Sequence, residues 1–314
     1  MVLINDLFEH IMEESKSLVS IIMNCYNGQR HLKEAIDSIY QQDYHDWEII
    51  FWDNASNDDS AKIAKSYDKR LKYFLAPSNT SLGEARNIAL QKACGKYVAF
   101  LDCDDKYLPE KLTKQVNMME INQCALCYGS VIVINEEGEK IKKNLVTDKF
   151  GNILDQLLLK YEINMQTVMI RRTVLMENKL SFDTKLQFSP DYDLFMRIAA
   201  EHKICSLSSY LVEYRKGETS LTAKMLDRIA PEMEYTLKNL STKSNISSKI
   251  NHNFKVALQM LYFYRSLPLI QSGQYLQARK NILKSIKVKK RYIIYYLILF
   301  LPVHRKWLLK LMMR

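Results

Sequence analysis

The sequence lacks the marks of several common protein classes. Its apolar run at 292–303 has 12 residues and contains Pro302, whereas a membrane-spanning helix needs about 20 residues. There is no Walker A sequence, and Gly28 stands alone after the first predicted strand, where a dinucleotide-binding fold has a G-x-G-x-x-G motif. We therefore expect neither a transmembrane helix nor a P-loop, nicotinamide or flavin enzyme.

Acidic residues are missing from the last quarter of the chain, since none follows Glu234. Residues 223–314 carry 18 lysines and arginines against 3 acidic residues, a net charge of +15, while residues 1–222 have a net charge of −5. The overall charge of +10 therefore describes neither part. With 47% apolar and 25% charged residues, the composition is otherwise that of an ordinary globular protein.

A secretion signal is not recognisable either, because residues 1–17 have no basic n-region and no long apolar core. The segment instead has the spacing of a short amphipathic helix. Six cysteines in such a chain predict reduced thiols in the cytosol. Cys124 and Cys127 form a C-x-x-C, but no second pair or matching histidines follow, so we expect buried, inert side chains.

What the sequence does contain is a regular alternation of apolar and amphipathic segments. The strand-like segments are 18–26, 47–53, 72–76, 96–102 and 125–134. The segments with helical spacing between them are 31–42, 59–67, 81–94 and 109–121. This alternation predicts a doubly wound α/β fold whose mostly parallel sheet is buried on both faces. Such sheets bind ligands beyond the carboxyl ends of their strands.

The later segments are less regular. We expect a helix at 150–164, a strand at 165–172 and a helix at 189–200, the last one introduced by Ser-Pro-Asp. Residues 223–287 have helical spacing throughout.

Polar residues cluster after three of the predicted strands, at 24–28, 53–60 and 102–105. Each cluster alone is typical of a helix cap or a turn; Asp58, for example, is a natural N-cap residue. Three clusters at the same edge of one sheet favour a ligand site instead.

Asp102 and Asp104 are the strongest candidates for metal binding at that edge. They form a D-x-D directly after the buried strand YVAFL. Carboxylate oxygens are the ligands that magnesium and manganese prefer, and these ions usually complete their shell with water and substrate phosphates. The sequence therefore predicts a Mn²⁺ or Mg²⁺ site.

Four segments together carry a family resemblance: VSIIMNCYNG at 19–28, WDNASNDDS at 52–60, SLGEARNIAL at 81–90 and FLDCDD at 100–105. In this order and spacing they resemble the motifs of the family 2 glycosyltransferases with the GT-A fold, over roughly residues 18–220. The resemblance implies a nucleotide-sugar donor, most often a UDP-sugar, and a divalent cation.

The resemblance also implies roles for individual residues. Asp53 is similar to the uracil-binding aspartate of the family, and Tyr26 and Asn27 lie on its nucleotide-binding loop. Arg86 matches the arginine that contacts the nucleotide. A guanidinium suits phosphate, although an ion pair with Glu84 or an aspartate of the rim would also explain Arg86.

The D-x-D matches a motif of the family. By this resemblance Asp102 contacts the ribose, and Asp104 contacts the metal-bound diphosphate. Asp105 is either a supporting residue behind this site or a cap.

The segment SPDYDLFMR at 189–197 resembles the family's acidic pair followed by a helix. Pro190 stands in place of the first acidic residue, and Asp191 matches the second, which implies that Asp191 is the general base. It would take the proton of an acceptor hydroxyl during a single displacement that inverts the anomeric carbon. Capping of the helix alone would also explain Asp191, and Asp193 is an alternative base.

The segment YRKGETSLT at 214–222 resembles the loop that closes over the donor in the family, without the histidine often found there. One interpretation of this segment is that Arg215, Lys216 or Ser220 contacts phosphate. The other is that the segment is a solvated loop without a role in binding.

The basic tail closes the chain. Lysines and arginines flank the apolar run, at Lys287, Lys289, Lys290 and Arg291 before it and at Arg305, Lys306, Lys310 and Arg314 after it. This pattern suits the interface of an anionic membrane, and a core helix with a solvated basic face is the other reading. No nucleic-acid motif accompanies the charge, so we expect no nucleic-acid partner.

We therefore expect four parts: a helical lead at 1–17, a GT-A catalytic domain at 18–222, a helical subdomain at 223–287 and a membrane-associating tail at 288–314. The expected function is that of an inverting, metal-dependent glycosyltransferase, peripheral on the inner face of the cytoplasmic membrane. Its acceptor would be a glycan or a lipid-linked glycan of bacterial surface polysaccharide, such as lipopolysaccharide. The alternative is a non-catalytic membrane-bound scaffold that retains the nucleotide-sugar-binding fold.

Overall fold

The computed structural model describes residues 18–217, 225–242, 248–299 and 305–312. The described residues form two compact units. The first consists of the chain up to Ile153 together with Glu162–Lys185 and Ile198–Gly217. The second consists of Leu154–Tyr161, Leu186–Arg197 and the described residues beyond 224. The helix expected within 1–17 lies outside the described residues.

Four parallel strands form one half of the sheet in the first unit. They are β1 (Val19–Cys25), β2 (Trp47–Asp53), β3 (Leu71–Leu75) and β4 (Tyr97–Phe100), in the order β3-β2-β1-β4. Helices α1 (Gln29–Tyr40), α2 (Ser60–Ala64) and α3 (Leu82–Leu90) connect them. Every residue of β2 and β4 is buried, as expected for strands covered on both faces. The prediction of a doubly wound α/β fold is confirmed.

The other half of the sheet is mixed. Its strands are β5 (Lys106–Tyr107), β6 (Leu126–Ile134), β7 (Lys140–Asn144), β8 (Lys149–Gly151), β9 (Met169–Arg171) and β10 (Ile204–Arg215). Along the chain between these strands lie helices α4 (Lys111–Asn122), α5 (Leu154–Leu159) and α6 (Arg172–Glu177), of which α5 belongs to the second unit. Strand β9 lies antiparallel between β4 and β6, and β10 runs parallel to β6.

Two of the sequence predictions for this region are wrong. Only the α5 part of the helix expected at 150–164 is helical, because Phe150 pairs with Cys205 in the sheet. The strand expected at 165–172 begins with a 3₁₀ turn at Met165–Thr167. The sequence pattern also missed the 12-residue strand β10, whose central serines interrupt the apolar alternation.

One expectation about the cysteines is also wrong. Cys124 forms a disulfide with Cys205, so this bond joins a residue two positions before β6 to the second residue of β10. The two are therefore not reduced thiols. Cys127 is buried and has no sulfur partner, in agreement with the prediction of an inert side chain.

The second unit is helical. Its elements after α5 are α7 (Pro190–Glu201, which begins in this unit), α8 (Leu226–Ser241), α9 (Ser248–Gln271), α10 (Tyr275–Ile286), α11 (Ile293–Ile298) and α12 (Arg305–Met312). The helical prediction for 223–287 is confirmed for the described part of that segment. No described helix combines the length and apolar character that crossing a membrane requires.

The C-terminal tail contributes to the core of this unit. The rings of Phe263 and Tyr292 stack with their centroids 4.4 Å apart. Leu299, Leu308 and Met312 are each at most 5% exposed and belong to the same cluster. Part of the segment 288–314 therefore packs on protein.

A buried lysine provides a test of the fold in the first unit. Lys111 is fully buried on α4, its Nζ donates to Gln115 Oε1 at 2.6 Å, and burial lowers its pKa to about 7. The unfolded chain therefore holds this proton more tightly than the folded protein between about pH 7 and the ordinary lysine value of 10.5.

We predict that the contribution of Lys111 makes the free energy of unfolding increase as the pH rises above 7, by up to about 1.4 kcal/mol per pH unit. Lys111→Met should remove that gain, whereas Lys62→Met, at an exposed position of α2, should keep it. Urea titrations at pH 7, 8 and 9 measure the slope, and equal slopes in the two variants would contradict the prediction.

Candidate active site

Hydrogen bonds join the polar loops after β1 and β2. The backbone N–H of Asn27 donates to Ser56 Oγ at 3.0 Å, and Asn27 Oδ1 accepts from the N–H of Asn57 at 2.9 Å. The N–H of Gly28 donates to Ser60 Oγ at 3.0 Å. The first two polar clusters therefore form one surface at the carboxyl edge of the sheet.

Gly28 has a steric reason to be glycine. A Cβ at this position would lie 2.9 Å from both Cys103 Cβ and Cys25 Sγ. Because Cys103 is the central residue of the D-x-D, the glycine lets the loop after β1 approach that motif.

Asp53 lies at the end of β2 beneath this surface and is fully buried. Its Oδ1 accepts from the N–H of Ser56 at 2.8 Å, and its Oδ2 accepts from the hydroxyl of Tyr73 at 2.7 Å. Each carboxylate oxygen can accept more than one hydrogen bond, so these contacts fix Asp53 and leave acceptor capacity. Tyr26, in contrast, is 57% exposed.

Asp102 is held on both of its carboxylate oxygens. Oδ1 lies 3.4 Å from Nη2 of Arg86, and Oδ2 accepts from Nε2 of Gln166 at 2.5 Å. The N–H of Asp102 donates in turn to Gln166 Oε1 at 2.9 Å. Arg86 is 5% exposed and also lies over the ring of Phe182. Arg86 therefore forms an ion pair with an aspartate of the rim, which was one of the alternative roles that its sequence position allowed.

Sequence reasoning missed Gln166. It lies in the 3₁₀ turn before β9, where Asn164 Oδ1 accepts its N–H. The only signal was an amide side chain in an otherwise apolar segment. Its reciprocal hydrogen bonds with Asp102, 64 residues earlier, give it a clear part in shaping the D-x-D.

The D-x-D and the residue after it concentrate negative charge. Desolvation and the charge of Asp102 raise the pKa of Asp104 to about 6. Asp105 is 1% exposed, and burial followed by the charges of Asp104 and Asp102 raises its pKa well above the ordinary value. Asp105 Oδ1 accepts from the N–H of Arg215 at 2.6 Å, while Oδ2 has no hydrogen-bond partner among the described residues. Asp105 is thus a buried support of the motif.

Arg215 anchors the same loop from the end of β10. Its Nε donates to the backbone oxygen of Asp104 at 2.9 Å. Its Nη1 donates to the backbone oxygens of Asn135 at 3.1 Å and Glu136 at 2.8 Å, and Nη2 pairs with Glu34 at 3.1 Å. The residue is 4% exposed. Its guanidinium is therefore committed to protein oxygens, and the reading of Arg215 as a phosphate contact is wrong for this structure.

The other two residues considered as phosphate contacts are Lys216 and Ser220. Lys216 is exposed, and its N–H donates to the backbone oxygen of Ile134. Ser220 lies outside the described residues.

The carboxylates fit a metal ion that is shared with a substrate. In the described part of the chain, no group of three or more His, Cys, Asp or Glu side chains is arranged to hold a metal by itself. Mg²⁺, and Mn²⁺ with similar ligands, is commonly bound by one or two carboxylates together with substrate phosphates. Asp102 and Asp104 supply such a pair, so the residues present fit a divalent cation that arrives with a diphosphate.

Asp191 and Asp193 lie in the first turn of α7, in the second unit. Asp193 is 4% exposed; its Oδ1 accepts from the hydroxyl of Thr236 at 3.1 Å and its Oδ2 from Nε of Arg197 at 2.8 Å. Asp193 is therefore bound on both oxygens and buried. Asp191 is only partly buried. The alternative of Asp193 as the general base is disfavoured.

The comparisons with known proteins agree with this geometry. Residues 20–177 match the family described as Glycosyl transferase family 2. An uncharacterized glycosyltransferase of Methanocaldococcus jannaschii is 34% identical over 238 residues, which cover 73% of this chain and 80% of that protein. The Escherichia coli enzyme WfgD, named UDP-Glc:alpha-D-GlcNAc-diphosphoundecaprenol beta-1,3-glucosyltransferase, is 31% identical over 66% of this chain and 80% of its own length. Relatives from two Rickettsia species are longer, and the chain spans about a third of their length, 35%.

Solved structures show the same fold. TarS of S. aureus, residues 1–349 in complex with UDP-GlcNAc, superposes with a TM-score of 0.66 at 18% identity, over 87% of this chain and 82% of that one. The mannosyltransferase PcManGT of Pyrobaculum calidifontis, in complex with GDP-Man and Mn²⁺, superposes with a TM-score of 0.58 at 16% identity, over 94% and 84%.

Gln166 allows a test of how the D-x-D is held. Gln166→Leu removes the two hydrogen bonds between this amide side chain and Asp102. We predict that the free energy of unfolding at pH 7 falls by about 1–3 kcal/mol. Gln91→Leu, at an exposed position at the end of α3, should leave it within about 0.5 kcal/mol of the parent. Urea titrations measure both values, and a Gln166→Leu variant as stable as its control would contradict the assignment.

Proposed function

The chain belongs to glycosyl transferase family 2, and we propose that this glycosyltransferase moves a sugar from a nucleotide-sugar, a UDP-sugar by preference, to a hydroxyl of a glycan or lipid-linked glycan. The observation that carries the proposal is the convergence of Asp53, Arg86 and the D-x-D at one carboxyl edge of the sheet. UDP-sugar use is supported by the name of WfgD and by the UDP-GlcNAc complex of TarS.

Donor binding in this proposal uses the surface between the loops after β1 and β2. Asp53 accepts from the base, because its oxygens retain acceptor capacity at the floor of the surface. Tyr26 and Asn27 line the nucleotide on the exposed side. Arg86 pairs with Asp102 in the structure and contacts the diphosphate in the proposed complex, to which its planar guanidinium is suited.

Asp104 and Asp102 hold Mn²⁺ or Mg²⁺ in the proposed reaction. The Mn²⁺ complex of PcManGT supports a divalent ion, and the two carboxylates offer the oxygen ligands it prefers. When bound, the ion supplies Lewis-acid stabilisation of the charge on the departing diphosphate. Gln166 and Arg215 keep the carboxylates of the motif in place.

Asp191 acts as the general base. It accepts the proton of the acceptor hydroxyl while that oxygen attacks the anomeric carbon opposite the leaving group, so that the configuration inverts. Its place in the first turn of α7, where the helix dipole favours a carboxylate, supports this role, and the engagement of Asp193 disfavours the neighbouring candidate.

We further propose that the enzyme works as a peripheral protein on the inner face of the cytoplasmic membrane, in the synthesis of a bacterial surface polysaccharide such as lipopolysaccharide. The acceptor named for WfgD is linked to diphosphoundecaprenol, a lipid carrier. Residues 248–299 contain ten lysines and arginines and no acidic residue.

The same segment, residues 248–299, also exposes apolar side chains among its cations. They lie on α10 and α11 and are Leu276, Leu283, Ile293, Ile294 and Leu297, each at least 46% exposed. Apolar side chains among cations suit an anionic lipid surface, and the proposal includes no nucleic-acid partner.

Donor turnover tests the catalytic proposal. With Mn²⁺ and a panel of UDP- and GDP-sugars, we expect the parent to release nucleoside diphosphate from one donor, with GlcNAc-diphosphoundecaprenol and related glycans offered as acceptors. Asp191→Asn should lower kcat about 10²–10⁴-fold, and Asp104→Ala should abolish the response to Mn²⁺. Asp46→Asn, at an exposed position beside the opposite ends of these strands, is the matched control. No turnover of any donor by the parent would refute the proposal.

Vesicle flotation tests the membrane proposal. The parent should float with phosphatidylglycerol-containing vesicles and not with phosphatidylcholine vesicles, because the tail is cationic. The double variant Ile294→Glu with Leu297→Glu, at exposed positions of α11, should lose at least half of the bound fraction. Ile121→Glu, which changes an apolar residue that is 80% exposed in the first unit, should still float. Equal flotation of both variants would reject the surface.

A further inference from the structure

One buried carboxylate binds the chain that leads into α7. Glu232 of α8 is 8% exposed. Its Oε1 accepts from the N–H of Gln187 at 3.0 Å. Its Oε2 accepts from the N–H groups of Phe188 at 3.0 Å and Ser189 at 2.8 Å, and from Ser189 Oγ at 3.2 Å. Three consecutive backbone amides and a hydroxyl thus converge on one side chain.

Glu232 binds the residues that lie directly before α7. Helix α7 begins with Pro190, which has no N–H, directly after Ser189. A serine at this position usually accepts from an N–H of the first helical turn. Here the Ser189 hydroxyl contacts Glu232, and the amides before the helix are bound by this residue 43 to 45 positions later in the chain. The buried charge is stabilised by these charge-assisted hydrogen bonds and by the positive end of α7.

A second contact joins the same two helices. Thr236 is fully buried, and its hydroxyl donates to Oδ1 of Asp193 at 3.1 Å. Residues 232 and 236 are four apart on α8 and therefore lie on one face of that helix. They hold Ser189 and Asp193, which precede and follow Asp191 by two residues each. The first turn of α7 is thus held on both sides of Asp191.

We propose that Glu232 is a positioning residue for Asp191, which it holds in the orientation needed to accept the proton of the acceptor. This inference rests on the proposed function, in which Asp191 is the general base. Three amide contacts at Gln187–Ser189 define the start of α7, and a displacement of about 1 Å in a reacting group can lower a rate about 10²-fold. Donor binding, which involves the loops of the first unit, does not depend on this contact.

Glu234 offers a matched control on the same helix. It is a glutamate two positions further on, and it pairs with Lys238 at 2.9 Å and with Arg265. It makes no described contact with the segment at 187–189. Glu234→Gln therefore removes an equal charge from α8 without releasing the entry of α7.

The experiment uses the full chain with Mn²⁺ and the donor and acceptor that give the highest parent rate. Hydrogen exchange at the amides of Gln187, Phe188 and Ser189 should speed up in Glu232→Ala and stay at the parent rate in Glu234→Gln. In Glu232→Ala, kcat should fall about 10–100-fold with the KM for the donor within about twofold of the parent.

Glu232→Gln retains one acceptor oxygen and serves if the alanine variant does not fold. Its kcat should fall less, and the acidic limb of its pH profile should shift to lower pH, because the negative charge bound to Ser189, two residues before Asp191, has been removed while Asp193 and Arg197 are unchanged. A purely structural role would lower stability without moving this limb.

Asp191→Asn separates the two ways in which the idea can fail. If Asp191→Asn loses activity while Glu232→Ala exchanges faster and keeps the parent kcat and pH profile, the positioning role is overturned and the proposed base stands. If Asp191→Asn keeps the parent kcat, the base assignment is wrong and the positioning role falls with it.

Discussion

The structure depends on the way negative charge is held at the carboxyl edge of the parallel strands. Asp102, Asp104 and Asp105 follow β4 directly, and without partners three adjacent carboxylates would repel one another. Arg86 and Gln166 bind the side chain of Asp102, while Arg215 binds the backbone around Asp104 and Asp105. These contacts come from three different parts of the first unit. The fold thereby keeps an acidic site in place, and a divalent cation in the proposed reaction makes that site compatible with an anionic donor.

Two acidic residues of the second unit are likewise held by hydrogen-bond donors. Glu232 is surrounded by backbone amides and Asp193 by a hydroxyl and a guanidinium, so both are buried and engaged. Asp191, which lies between the two anchored residues of α7, is only partly buried. In the proposed mechanism the role of general base falls to Asp191, because Glu232 and Asp193 are already used to fix the helix. The cationic tail of the same unit then accounts for the proposed preference for an anionic membrane.

The sequence predicted those features that depend on local patterns. Strands β1 to β4 and the D-x-D follow from apolar runs and from polar residues at their ends, and Pro190 correctly marked the start of α7. Gln166, Glu232 and the Cys124–Cys205 disulfide were missed because each acts on a partner 43 to 81 residues away. Strand β10 was missed for a related reason: Ser206 within it is fully buried only because β6 and β8 pair with this strand. The two readings of Arg86, nucleotide ligand and ion-pair partner, could not be separated without the position of Asp102.

The stereochemistry of the product tests the central claim most directly. A single displacement assisted by Asp191 requires that the transferred sugar change its anomeric configuration. Proton NMR of the product formed from an α-linked UDP-sugar, read at the coupling constant of the anomeric proton of the transferred sugar, distinguishes the two outcomes. The account predicts a β-linked product. An α-linked product would contradict it, because retention requires a different use of the carboxylates than one general base opposite the leaving group.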